Sequence, residues 1–206
     1  MKKSIAIFGG SFSPPHLGHV LACKAFFKST GAERVVVMPA RRPPHKELDG
    51  NASDAQRFEM CELAFLSDSE LFGKCEISDF ELRREEKSYT VNTVEYFISQ
   101  GYDDIYLFVG TDMLLTFESW HRFRDIFGYV TLCYMDRYGK ESDNTEKCAQ
   151  CYREKYGARI LKIQAPVFEI SSSEIRKIIS GGESADKLLP EKVIRYIEEN
   201  GLYKPD

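Results

Sequence analysis

Short apolar runs rich in β-branched residues recur along this 206-residue chain, and segments with helical periodicity lie between them. SIAIF (4–8), RVVVMP (34–39), DIYLFVG (104–110), YVTLCYM (129–135) and RILKIQA (159–165) read as buried strands, DIYLFVG most clearly. LGHVLACKAFFKST (17–30), SDAQRFEMCELAFLSDS (53–69), TVNTVEYFISQG (90–101), SSSEIRKIISGG (171–182) and PEKVIRYIEENGLY (190–203) read as helices, with serines capping two starts and glycines marking ends. KCEISDFELRR (74–84) is β-like, and ARRPPHKELDGNAS (40–53) is too polar and proline-rich for either element. Strands alternating with helices at this spacing predict βαβ units: an α/β, Rossmann-like doubly wound parallel sheet with helices on both faces. No linker or internal repeat interrupts the pattern. The expectation is therefore one domain over 1–206, its C-terminal helical part (about 170–206) packed on the sheet. Such a sheet binds ligands at the carboxyl ends of its strands, where the polar segments 9–19, 39–46 and 110–113 fall.

A formal net charge of −4 argues against a broad basic surface for nucleic acid, and no apolar run approaches the length of a bilayer span. The start, MKKSIAIFGG, has a basic tip but too short an apolar core for a secretory signal. A cytoplasmic chain is expected, its six scattered cysteines free thiols. Cys148 and Cys151 form a C-x-x-C inside a polar helical pattern; neither a second pair nor a histidine follows to complete a zinc site. Asn51-Ala52-Ser53 matches a glycosylation acceptor that a cytoplasmic chain would not use.

GGSFSPPHLGHV (9–20) puts two glycines, two prolines and two of the chain's four histidines directly after the first strand. Gly9 and Gly10 would let backbone approach a ligand closely. His16 and His19, three apart, would project from one face of a first helical turn. A helix starting near Leu17 would point amides at an anion, and Gly18 would keep the turn clear. Neither a dinucleotide fingerprint nor a phosphate loop is present, so phosphate would be held differently. The plainer alternative is a glycine-rich turn with one capping histidine. Likewise, ISSSEIRK (170–177) offers capping serines and Arg176 to an anion, or is a capped surface helix with a solvated arginine.

GGSFSPPHLGH and ISSSEIR together resemble the two signatures of the HxGH nucleotidyltransferases. PARRPPHK (39–46), SYTVNT (88–93), VGTDMLLTFESW (109–120) and the closing GLY (201–203) are similar to segments of one family there, the bacterial nicotinate-nucleotide adenylyltransferases. The resemblance implies that Gly9, Gly10, Ser11 and Phe12 line an ATP site through their backbone, joined by Gly110 and Ile170. His16 and His19 would bind the triphosphate and, with Arg176, carry catalysis. Asp112 would accept from the adenosine ribose; Ser172 and Arg176 would hold the β- and γ-phosphates. His45 and Lys46 would meet the mononucleotide phosphate, as would Arg137. Thr90 and Trp120 would contact the pyridine ring, Trp120 by stacking. Three positions depart from the pattern: Ser13 and Asn92 stand where acids are usual, and Tyr138 where a proline is. His121 and LRREEK (82–87) read as surface, a backbone contact to nicotinate being the family-based alternative for His121.

The implied partners are the small molecules ATP and nicotinate mononucleotide, with no nucleic acid and no membrane; a homo-oligomer is left open. The mononucleotide phosphate would attack the α-phosphorus already ionised, so no general base is needed, and Mg²⁺ would ride on the phosphates with no dedicated carboxylate cluster. Pantetheine-phosphate adenylyl- and cytidylyltransferases share the histidine motif but lack the SYT and Trp120 segments. A nucleotide-sensing domain would be expected to have lost a histidine or Arg176. An aminoacyl-tRNA synthetase fragment would need a longer chain and a lysine-rich second signature.

Overall fold

The computed structural model describes residues 3–43, 50–135, 142–164 and 170–204. Strands β1 (Ser4–Gly10), β2 (Arg34–Pro39), β3 (Cys75–Ile77), β4 (Asp104–Gly110), β5 (Val130–Met135) and β6 (Arg159–Lys162) form one parallel sheet in the order β3-β2-β1-β4-β5-β6. Helices α1 (Leu17–Thr30), α2 (Asp54–Phe65), α3 (Thr90–Ser99), α4 (Thr111–Leu115), α5 (Phe123–Tyr129), α6 (Ser142–Tyr156), α7 (Ser172–Ser180) and α8 (Glu191–Glu199) complete it. This is the doubly wound α/β architecture expected.

The pleat explains why the strands read as continuous apolar runs. Ile5 and Ile7 pack on one side with Val36, Met38, Leu107 and residues of α3, α5 and α6. Ala6 and Phe8 pack on the other with Val35, Val37 and residues of α1, α2, α7 and α8. A strand covered on both faces has no polar side to show. β4 is less uniform than expected: Ile105, Leu107 and Val109 are buried, but Tyr106 and Phe108 only half so.

Caps fall where the side chains demand. Ser53 accepts from the Gln56 amide while the Gln56 side chain accepts from the Ser53 amide, and Ser171 with Glu174 repeats the box. Gly31, at φ 63°, closes α1.

Three expectations are corrected. The β-like stretch 74–84 yields only three strand residues, because this edge strand pairs with Val35–Val37 alone before Asp79–Arg84 folds into turns. α2 ends at Phe65, where the Asp68 carbonyl takes up the amides of Leu71 and Phe72. The stretch 111–129, read only as part of the 109–120 motif and with no helix assigned, forms α4, a 3₁₀ turn at Phe117–Ser119 and α5. β1 and β4 are neighbours although β2 and β3 intervene in sequence, so the chain changes direction between them. A ligand crevice belongs at the carboxyl ends of such a pair.

Candidate active site

The turn after β1 is pinned through its carbonyls. Gly10 O accepts from the Ala40 amide (2.9 Å), Ser11 O from Arg57 Nη1 (2.6 Å), Ser13 O from Arg176 Nη1 (2.8 Å) and Pro14 O from Ser172 Oγ (2.9 Å). Phe12, at φ 48°, is buried against Phe8, Phe65 and the edge of His19. A Cβ on Gly10 would lie 2.8 Å from the Phe12 ring, whereas one on Gly9 would meet nothing within 4 Å. Gly10 therefore makes room for Phe12, while a side chain at Gly9 would meet open space.

His16 is the N-cap of α1, so the capping alternative is part of the truth. Its Nδ1 accepts from the His19 amide (3.3 Å), and His19 Nδ1 accepts from the His16 amide (3.2 Å). Both Nδ1 atoms must then be bare, which places each ring's N–H on Nε2. The rings stack at 3.6 Å and 22°. His16 is buried and His19 half-buried. The first-turn amides are less available than expected: Leu17 donates to Leu188 O (2.9 Å) and His19 to His16. Gly18 is fixed by the ring beside it, a Cβ there lying 3.1 Å from His16 Nδ1 and 3.7 Å from Ile170 Cβ.

A cavity of about 300 Å³ opens at the carboxyl ends of β1 and β4. Of the residues singled out in sequence, Gly9, Gly10, Ser11, His19, Thr90, Gly110, Asp112 and Trp120 line it. Phe12, His16, Ile170, Ser172 and Arg176 do not; they support the turn from behind or beside it. His45, Lys46 and Arg137 lie outside the described residues.

Trp120 is half-buried and stacks on Phe117 at 4.7 Å, and Tyr89 lies 4.5 Å from His121; Trp120, Tyr89 and His121 line the cavity. His121 is exposed, as expected of a surface residue, and it also lines the cavity. Asp112 is exposed in the first turn of α4. Ser13 is buried away from the cavity, its hydroxyl 3.3 Å from the phenol of Tyr203, which burial pushes up to about 12. The Asn92 amide donates to Tyr89 O.

Sequence reading passed over Glu81 and Arg57. Glu81, a buried cavity residue, accepts from Thr93 Oγ1 at 2.6 Å and hydrogen-bonds the Ser88 hydroxyl; burial raises its carboxyl above the usual range despite these bonds. Arg57 is 1% exposed and pairs with Asp54 at 2.7 Å. A signal existed for it: Arg57 shares the apolar stripe of Met60, Cys61 and Ala64.

Residues 7–178 match the cytidylyltransferase-like family. A protein of Caldicellulosiruptor bescii named probable nicotinate-nucleotide adenylyltransferase is 35% identical over 97% of this chain and 98% of its own length. A Listeria monocytogenes protein of the same name is 36% identical over 98% of each chain. In structure the chain is similar to Plasmodium falciparum nicotinic acid mononucleotide adenylyltransferase complexed with NaAD. That match has a TM-score of 0.78 over 98% of this chain and 97% of the other, at 21% identity, and it supports the fold.

Proposed function

This chain belongs to the nicotinate-nucleotide adenylyltransferases of the cytidylyltransferase-like family, and on that premise we propose that it transfers the adenylyl group of ATP to nicotinate mononucleotide. The products are nicotinate adenine dinucleotide and pyrophosphate, a step of NAD biosynthesis. The observation that carries the reading is one cavity lined both by His19 and the turn after β1 and by Thr90, Trp120 and His121.

An oxygen of the mononucleotide 5′-phosphate forms a bond to the α-phosphorus. The bond from that phosphorus to the bridging oxygen breaks, and pyrophosphate leaves with the electron pair. The nucleophile is an anion, so catalysis is positioning and charge stabilisation. The capping box supplies the positioning: with both Nδ1 atoms engaged, His16 and His19 can offer Nε2–H to phosphate oxygens. Pinning Gly10 O and Ser11 O turns the following amides, of Ser11 and Phe12, the opposite way, since a trans peptide sets its C=O and N–H antiparallel. We assign those amides, with Gly9 and Gly110, to the ATP site, and Asp112 to the ribose. A guanidinium carries five donors, so Arg176 can hold Ser13 O and also serve the β- and γ-phosphates beside Ser172 and Ile170.

Trp120, already stacked on Phe117, offers its other face to the pyridine ring, with Thr90 beside it. Lys46, His45 and Arg137 are assigned to the mononucleotide phosphate. Among the described residues no three His, Cys, Asp or Glu side chains converge to hold a metal. The phosphates are the natural ligands of Mg²⁺; we take the ion to enter with ATP, where it would neutralise phosphate charge. No described helix is long and apolar enough to cross a membrane. The six free thiols suit the cytoplasm, where we place the enzyme.

Incubation with Mg-ATP and nicotinate mononucleotide, followed by mass spectrometry and a pyrophosphate assay, tests the proposal. One pyrophosphate per nicotinate adenine dinucleotide is expected. Absence of a dinucleotide, or preferential use of CTP or of a phosphopantetheine acceptor, would overturn it.

A further inference from the structure

The reaction joins two substrates in one cavity, so their relative placement must be set by the protein. We propose that Asp54 sets it, as a positioning residue that ties the ATP turn to the mononucleotide turn; this rests on the function just proposed. Asp54 opens α2, and its two carboxylate oxygens serve different arms. Oδ1 accepts from Arg57 Nη2 at 2.7 Å, while Arg57 Nη1 donates to Ser11 O at 2.6 Å. Oδ2 pairs with Arg41 Nε at 3.3 Å. Arg41 in turn donates from Nη1 to Arg84 O (3.0 Å) and from its backbone N–H to Ser88 Oγ (3.2 Å), and the Ser88 amide returns to Arg42 O (3.0 Å). Ser11 and Ser88 both line the cavity, Ser11 on the ATP side and Ser88 next to Tyr89 and Thr90 on the ring side. One carboxylate thus bridges the two half-sites.

Two facts bear on this bridge: its Arg57 arm is stiff, and α2 can start without it. The Arg57 guanidinium is buried, and a buried charge holds tightly to its counter-charge. α2 is started by the Ser53–Gln56 capping box, so the helix does not need Asp54 to begin.

Asp54→Asn keeps the shape but replaces one acceptor with an NH₂ that neither guanidinium can use. Kd values for a non-hydrolysable ATP analogue and for nicotinate mononucleotide, each alone, should stay within about threefold. Turnover at saturation of both should fall about 10–100-fold, because misplacement matters only when the reacting atoms must align. Asp54→Glu should restore most of that turnover. Arg41→Gln breaks one arm and leaves the Arg57–Asp54 pair intact; it should show the same split at about tenfold, and it decides the matter if Asp54→Asn does not fold. Turnover of the folded variants within about twofold of wild type would overturn the proposal. So would lost turnover matched by equally weakened binding of both substrates, or an Arg41→Gln effect confined to mononucleotide Kd, which would mark a direct phosphate contact. If wild type makes no dinucleotide, the proposed function itself fails.

Discussion

The turn after β1 and the turn before α3 line one cavity but are held differently. The first has the carbonyls of Gly10, Ser11, Ser13 and Pro14 pinned by partners from Ala40 to Arg176, over a buried Phe12. The second is tied by the half-buried Arg41 and the exposed Arg42 to Arg84 O, Glu85 O and Ser88, and by Glu81 to the hydroxyls of Ser88 and Thr93, and it presents half-exposed rings. Reaction at phosphorus tolerates little misplacement, so its donors sit on the turn anchored by the buried Phe12 and the buried Arg57. A flat ring is recognised by stacking and a few polar contacts, which a turn held nearer the surface can supply. On this account the first region governs rate and the second governs choice of substrate.

The sharpest way to break that division is His19→Ala. Turnover should fall about 10²–10³-fold while ATP affinity changes little, as for removal of a transition-state donor. Steady-state kinetics showing turnover within about threefold of wild type would remove the histidine pair from the chemistry.

Next in size is Trp120→Ala, which should raise the Michaelis constant for the mononucleotide by the equivalent of about 1–3 kcal/mol, the usual cost of a lost stacking aromatic. The constant for ATP should not move. Equal weakening of both would show that Trp120, through Phe117, supports the fold instead of the ring.

A smaller effect is expected from Glu81→Gln, read in stability. Burial raises the Glu81 carboxyl in the folded state. A group with a raised folded value contributes fully below its unfolded pKa and loses that contribution as pH rises through the folded one. Urea midpoints of wild type and variant should therefore shift in favour of the variant as pH rises from about 4, the unfolded value of a glutamate. A gap independent of pH would mean that the carboxyl is not buried as described.

The smallest expected effect is none. Chelators should leave the melting temperature unchanged, since Cys148 and Cys151 stand within α6 and no metal-holding cluster converges among the described residues. Stoichiometric zinc by elemental analysis would contradict this.

The two regions also differ in how far they could be read from sequence. α1, β2 and β4 lie on the residues expected, because apolar period and flanking glycine or proline are local signals. The histidine pair was legible for the same reason; that it forms a capping box which consumes two amides was not, since that depends on side-chain rotation. α4 and α5 were missed because they run only five and seven residues, without a side-chain cap, and α5 follows Arg122 at φ 54°. Arg57 reaches Ser11 across 46 residues, and Asp54 and Glu81 escaped because the side chains they face are set by how the turns fold and not by any local period. Ser172 and Arg176 were expected either at phosphates or on a capped surface helix, and neither reading foresaw that they brace the Ser13–Pro14 segment.

The claim that the second turn chooses the substrate is tested most directly by kcat/KM for nicotinate and nicotinamide mononucleotides at saturating Mg-ATP. A polar group paired in the site is discriminated strongly from an analogue that cannot pair, and only the acid presents an anion for charge-assisted bonds near Thr90 and Trp120. The account predicts a preference for the acid of at least about 10²-fold. Equal constants would contradict it, leaving the adenylyl transfer of the first turn standing without the selectivity assigned to the second.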